Sequence, residues 1–121
     1  MTKPKAAKQL DRVRRQALDR IARIQEQIGK LDYLCSGTLV KRTKVCGKAN
    51  CRCLRDPQAR HGPYYEWGYM SEGKQVHRMV SSEQAALLRK ALANYRTVRR
   101  LLRRWEIETV RLMDAEKSRN P

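Results

Sequence analysis

Phenylalanine is missing from all 121 residues, tyrosine and tryptophan together reach only 6%, and 12 Asp and Glu face 28 Lys and Arg. Each shortage excludes something. With so few large apolar side chains and 33% charged residues, a broad globular core is excluded, and one small, elongated, helical domain is the natural expectation. No run approaches the about eighteen continuous apolar residues of a membrane-spanning helix, so no membrane partner is expected. Nothing at the N-terminus reads as a signal peptide, and the four cysteines are expected to be reduced thiols in the cytoplasm. The scarcity of acids also weakens any catalytic reading. There is no carboxylate pair near the cysteines, no phosphate-cradling glycine loop and no H-E-x-x-H helix, so neither an enzyme nor a small-molecule substrate is expected.

The same scarcity leaves a formal net charge of +16. Self-repulsion of that size opposes compaction unless a polyanion shields it. Nucleic acid is the expected partner, DNA ahead of RNA, and an anionic membrane surface is the competing one.

What the chain does have is concentrated between Cys46 and Tyr65, C-G-K-A-N-C-R-C-L-R-D-P-Q-A-R-H-G-P-Y-Y. Cys46, Cys51 and Cys53 form a C-x4-C-x-C array, with His61 following, so three thiolates and an imidazole could converge on one tetrahedral cation, expected to be Zn2+. The only aliphatic side chains between Cys46 and His61 are Ala49, Leu54 and Ala59, among Lys48, Arg52, Arg55 and Arg60. That is too little to offset roughly 1–2 kcal/mol of backbone entropy per ordered residue. A structural metal supplies roughly 10 kcal/mol or more. Cys35 is the rival fourth ligand, and the alternative for the whole array is three reduced cysteines in a mobile basic loop.

Cys46, Gly47, Lys48, Cys51 and Cys53, then His61, Gly62, Pro63 and Tyr64, then the Gly73-Lys74 turn and Asn94-Tyr95 on a helix, carry a resemblance. Over about Gly37 to Arg104 the chain resembles a family of small bacterial proteins of unassigned function, met near transposases and other mobile-element genes. The resemblance implies a mobile-element setting and no established activity. The common pattern places a glycine between the last cysteine and the H-G-P-Y, where this chain has Leu54 to Arg60 with Asp56-Pro57.

On either side lie helical patterns. Leu10, Ala17, Ile24 and Leu31 recur every seven, with Ile21 and Ile28 between them, predicting a coiled-coil seam interrupted by Arg14. From Ser82 to about Lys117, Leu88, Ala91, Tyr95, Val98, Leu102, Trp105 and Leu112 predict a second apolar stripe, widened by Leu87, Leu92, Leu101 and Met113, with Ser81 and Gln84 as a capping box. Between the helices, Thr38–Val45, Tyr64–Met70 and Gln75–Val80 alternate as strands should, the last two joined by a short turn. Tyr65, Trp67 and Tyr69 share a face, expected to pack inward, with base stacking as the alternative.

The expected fold is therefore α+β: an antiparallel coiled-coil-like hairpin of two long helices flanking a three-stranded antiparallel head with a zinc loop. The expected organisation is a basic flexible tail (1–6), a coiled-coil helix (7–34), the zinc-stapled head (35–80), a basic coiled-coil helix (81–117) and a disordered tail (118–121). Arg96, Arg99, Arg100, Arg103 and Arg104 on the second helix, with Arg42, Lys48, Arg52, Arg55, Arg60, Lys74 and Arg78 on the head, are the expected nucleic-acid-binding residues. These readings combine into an accessory protein that binds nucleic-acid backbone and assists a transposase, recombinase or other mobile-element enzyme. The alternative is an adaptor that docks through its helical stalk on a larger nucleoprotein enzyme. A homodimer fits either.

Overall fold

A computed structural model describes residues 5–119, with side chains from Ala7 to Glu116. Element order is helix α1 (Lys5–Gly29), strand β1 (Thr38–Lys44), two single 3-10 turns, strand β2 (His61–Ser71), strand β3 (Lys74–Val80) and helix α2 (Ser82–Arg119). The class is α+β. The chain divides into two units, one made of residues 1–31 and 96–121 and the other of 32–95.

In the first unit, the seven-residue repeat buries Ala17 and Ile24 and half-buries Leu10, Ile21 and Ile28 of α1 and Leu31 just beyond it. On α2 the matching buried positions are Leu101, Glu108 and Ala115, again seven apart, flanked by half-buried Trp105 and Leu112. Of the expected stripe, Leu102 is corrected: it is 45% exposed, and Leu101, expected only to widen the stripe, is the buried one. The cause is the heptad spacing of α2, whose inward line passes through a glutamate that hydropathy cannot credit. Two ion pairs fix the direction of the helices: Arg14 Nη1 lies 3.4 Å from Glu116 Oε1 and Arg20 Nη1 3.6 Å from Glu108 Oε2. Numbers rise on one helix as they fall on the other, so the two run antiparallel. Arg14, the interruption in the seam, meets an anion of the neighbouring helix.

Helix α1 stops at Gly29 and does not continue to Leu34 as the sequence suggests. Glycine costs about 1 kcal/mol in a helix interior. Beyond it, the backbone finds other partners in the second unit. Asp32 Oδ1 accepts from the Tyr33 N–H at 2.7 Å, Asn94 Nδ2 donates to Asp32 Oδ1 at 3.0 Å and to the Tyr33 carbonyl at 2.8 Å, and the Cys35 N–H donates to the Ala91 carbonyl at 3.5 Å. Both Asn94 amide protons therefore hold residues 32–33 extended against α2. The Asp32 carboxyl lies below its ordinary range, chiefly because the Tyr33 N–H favours the anion.

The expected basic tail lies outside the described residues over 1–4, while Lys5 and Ala6 belong to α1. Of the expected disordered tail, Ser118 and Arg119 lie within α2 and 120–121 fall outside the described residues.

The sheet is antiparallel throughout, in the order β1-β2-β3. Glu72 and Gly73, the two residues between β2 and β3, both have positive φ (50° and 79°), as a type I′ hairpin turn requires. Entry to β1 depends on Gly37, whose φ is 117° and where a Cβ would collide with the Gly68 carbonyl and lie 2.8 Å from Trp67 Nε1. The Trp67 indole N–H donates to the Ser36 carbonyl at 3.0 Å, and its ring stacks on Tyr69 with centroids 4.0 Å apart. The Arg89 guanidinium of α2 sits 5.4 Å from the Tyr65 ring centre. The Tyr65, Trp67 and Tyr69 face is thus half-buried and engaged. The capping box forms in both directions, Gln84 N–H to Ser81 Oγ at 3.0 Å and Ser81 N–H to Gln84 Oε1 at 2.8 Å.

Candidate metal centre

The connection between β1 and β2 has almost no apolar content, and only Cys53 of it is buried. Its backbone is organised by short local bonds. The Cys51 N–H donates to the Lys48 carbonyl at 3.2 Å, Cys51 then caps the 3-10 turn Arg52–Leu54, and Asp56 caps a second turn, Pro57–Ala59, by accepting from the Gln58 N–H at 3.0 Å. Cys46 follows the end of β1, and His61 opens β2 paired with Lys44. The sheet register therefore delivers the first and last members of the array to one place. Gly62, next to His61, has φ 122°, and a Cβ there would come within 3.0 Å of the Arg42 carbonyl.

The Sγ atoms of Cys46, Cys51 and Cys53 and a ring nitrogen of His61 all lie within 4.8 Å of one another. Cys46 Sγ and Cys53 Sγ are 3.6 Å apart, and Cys51 Sγ lies 3.2 Å from His61 Nε2. A disulfide needs sulfurs at about 2.05 Å, so this is not one, and the four cysteines are free. A tetrahedral ion with sulfur at about 2.3 Å and nitrogen at about 2.0 Å spaces its ligands about 3.8 Å (S···S) and 3.5 Å (S···N) apart. The Cys46–Cys53 and Cys51–His61 edges match that tetrahedron to within a few tenths of an ångström, and the four donors are compatible with a metal site. Four protein ligands complete its shell.

The electrostatics suit thiolates. The Cys53 N–H, then the neighbouring Cys53 and Cys46 thiols, point at Cys51 sulfur and lower its pKa. At Cys53 the Cys46 N–H, 3.4 Å from the sulfur, lowers the pKa, but burial and the adjacent sulfurs outweigh it and the thiol is raised. Two thiols so close cannot both ionise cheaply without a cation between them. Cys35 is not in this group. Burial pushes its thiol up, which suits a neutral packing side chain.

The expected nucleic-acid-binding residues fall on both units. In the second, Arg42, Lys48, Arg52, Arg55, Arg60, Lys74 and Arg78 are exposed; Arg52 lies 3.7 Å from Asp56 and Arg42 3.9 Å from Glu66. In the first, Arg96, Arg99, Arg100, Arg103 and Arg104 are exposed on α2. Sequence reasoning passed over the outer face of the sheet. There Tyr64, Met70 and Met79 are 38%, 59% and 51% exposed, and Lys44 Nζ sits 5.0 Å from the Tyr64 ring centre. The alternation of β2 held that signal, but the more aromatic opposite face drew attention from it. His77 on this face lies 3.0 Å from Glu66, away from the metal cluster.

Among the described residues, no helix is long and apolar enough to cross a membrane. No curated protein and no solved structure matches the chain significantly. A protein-family model does match, over residues 7–90, taking in most of α1, the whole sheet, the cysteine and histidine cluster and the start of α2. The chain belongs to that family, described as a domain of unknown function (DUF6788).

Proposed function

We propose that this protein is a zinc-stabilised, basic nucleic-acid-binding accessory protein. The observation that carries the reading is the convergence of Cys46, Cys51, Cys53 and His61 in a loop that otherwise bears exposed cations. Three thiolates and an imidazole in tetrahedral array favour Zn2+, and a shell closed by protein gives the ion a structural part. When bound, the ion supplies a fixed positive centre that holds the thiolates together. The chain's own residues do the rest: the fixed loop presents Lys48, Arg52, Arg55 and Arg60, and α2 presents Arg96, Arg99, Arg100, Arg103 and Arg104. Such surfaces neutralise successive phosphates with little regard to sequence. The antiparallel helices pack as a coiled-coil hairpin in this reading. DNA is the preferred target, and assistance to a transposase, recombinase or similar mobile-element enzyme is the role that the resemblance implies.

A second reading has its own support. Leu102, Glu106, Thr109 and Val110 with Trp105 line an open apolar groove on α2, as a protein-docking adaptor would. Fluorescence anisotropy with labelled duplex, single-stranded DNA and RNA across a salt series separates the two. Micromolar or tighter binding that weakens steeply with salt is expected, and no binding at low salt leaves the adaptor standing alone.

A further inference from the structure

The outer face of the sheet is unlike an ordinary solvated surface. Tyr64, Glu66, Gly68 and Met70 of β2 alternate outward, beside Arg42, half-buried Val40 and Thr38 of β1 and Gln75, His77 and Met79 of β3, which the register places opposite them, and the Lys44 ammonium lies over the Tyr64 ring. Glu66 is the single carboxylate among these positions, and it is occupied: His77 Nδ1 lies 3.0 Å from Oε1 and Arg42 Nε 3.9 Å from Oε2. Gly68 adds no side chain at the centre, where a Cβ would stand 3.2 Å from the His77 ring. Tyr64, Met70 and Met79 each stand exposed on this face, with cations at the Tyr64 end. Those cations continue into the metal loop, which leaves β1 at that end of the sheet. From Lys41 to Arg60 the chain has seven basic residues (Lys41, Arg42, Lys44, Lys48, Arg52, Arg55, Arg60) and one acidic (Asp56).

Resting on the nucleic-acid reading above, we propose that this face is a stacking platform for single-stranded DNA, with a base on the Tyr64 ring and the flanking phosphates on Arg42, Lys44 and the metal loop. Base stacking on an exposed aromatic, beside a cationic track, is how sequence-tolerant single-strand binders work. A duplex keeps its bases stacked on one another and would leave the Tyr64 ring unused. The exposed Lys44 ammonium lies over the Tyr64 ring and can take a phosphate when a base arrives. The choice of DNA over RNA is carried over from the reading above.

The test uses the full-length, metal-loaded protein and three labelled oligonucleotides of equal length: single-stranded DNA, its duplex, and the matching RNA. Single-stranded DNA is expected to bind at least tenfold more tightly than duplex. Tyr64→Ala should weaken single-strand binding roughly fivefold or more and leave duplex binding within twofold, while Tyr64→Phe retains the preference. Metal content and tryptophan fluorescence, from Trp67 and Trp105, report whether each variant keeps its fold. Photocrosslinking of a bromodeoxyuridine oligonucleotide to the wild-type protein should label the Tyr64 peptide, independently of any variant. Equal binding of duplex and single strand, or a crosslink mapping elsewhere, overturns the platform and leaves the broader nucleic-acid reading intact. RNA bound as tightly as DNA overturns the choice of DNA. Absence of binding to all three at low salt removes both proposals.

Discussion

Glu108 offers a direct measure of the forces in the helix pair. Only 6% of the residue is exposed, at a seam position between Leu101 and Ala115. Its Oε1 accepts from Arg111 Nη1 at 2.7 Å, while buried Oε2 has no hydrogen bond among the described residues and relies on Arg20 Nη1 at 3.6 Å. The two arginines are about half exposed (49% and 45%) and can return to water if the carboxylate is removed. The carboxylate cannot follow if they are removed. Glu108→Leu should therefore leave stability within about 1 kcal/mol of wild type, or raise it, because a leucine extends the seam and no charge is stranded. The double variant Arg20→Met, Arg111→Met strands a buried anion and should cost about 3–5 kcal/mol, roughly a 10–20 °C fall in Tm. Urea unfolding followed by helical circular dichroism reads both. A Glu108→Leu loss of about 3 kcal/mol with the double variant near wild type would refute the desolvation argument and show that the ion pair itself binds the helices.

Three further expectations follow from the second unit. Cys51→Ser and His61→Ala, each purified without added metal, should lose most bound zinc by elemental analysis, whereas Cys35→Ser should retain it; loading of the wild type should fall as pH drops and the thiolates and imidazole take up protons. Ser81→Ala removes the acceptor for the Gln84 N–H and should cost about 1 kcal/mol in denaturant unfolding, with a Ser81→Asp variant recovering most of it. Because the Asp32 carboxyl is depressed in the folded chain, its stabilisation is present above the ordinary carboxylate range and is lost as pH falls through the folded value. Stability of the wild type should accordingly fall more steeply below pH about 4 than that of Asp32→Asn, and parallel acid limbs would argue that the anion contributes nothing.

Local patterns with one dominant cause were readable from the sequence. Alternation placed β1, β2 and β3 within a few residues, Ser81 and Gln84 announced the start of α2, and the cysteine and histidine spacing brought together the four donors that cluster. Features set by tertiary partners were not. Leu34 continues the hydropathy of α1, yet α1 ends at Gly29, and Asn94, distant in sequence, bonds the Asp32 carboxylate and Tyr33 carbonyl beyond it. Likewise Glu108 reads as a surface charge until Arg20 and Arg111 are seen beside it, and Leu102 then reads as core in its stead. Nor does alternation reveal which of two aromatic-bearing faces of β2 stays open, since that depends on where Arg89 and Ser36 sit.

The two hairpins of the sheet differ in what closes them. β2 and β3 meet through Glu72 and Gly73 alone, an inexpensive local reversal, whereas β1 reaches β2 across the whole connection from Val45 to Arg60. On the proposal that the four donors hold zinc, a chain deprived of it is thus expected to assemble β2, β3 and the adjoining turn of α2 and to leave β1 undocked, so that scarcity of the ion withdraws one strand without dissolving the rest. Amide exchange in the chelated protein would show this as rapid labelling confined to Thr38–Lys44 and its β2 partners, with the β2–β3 ladder still protected.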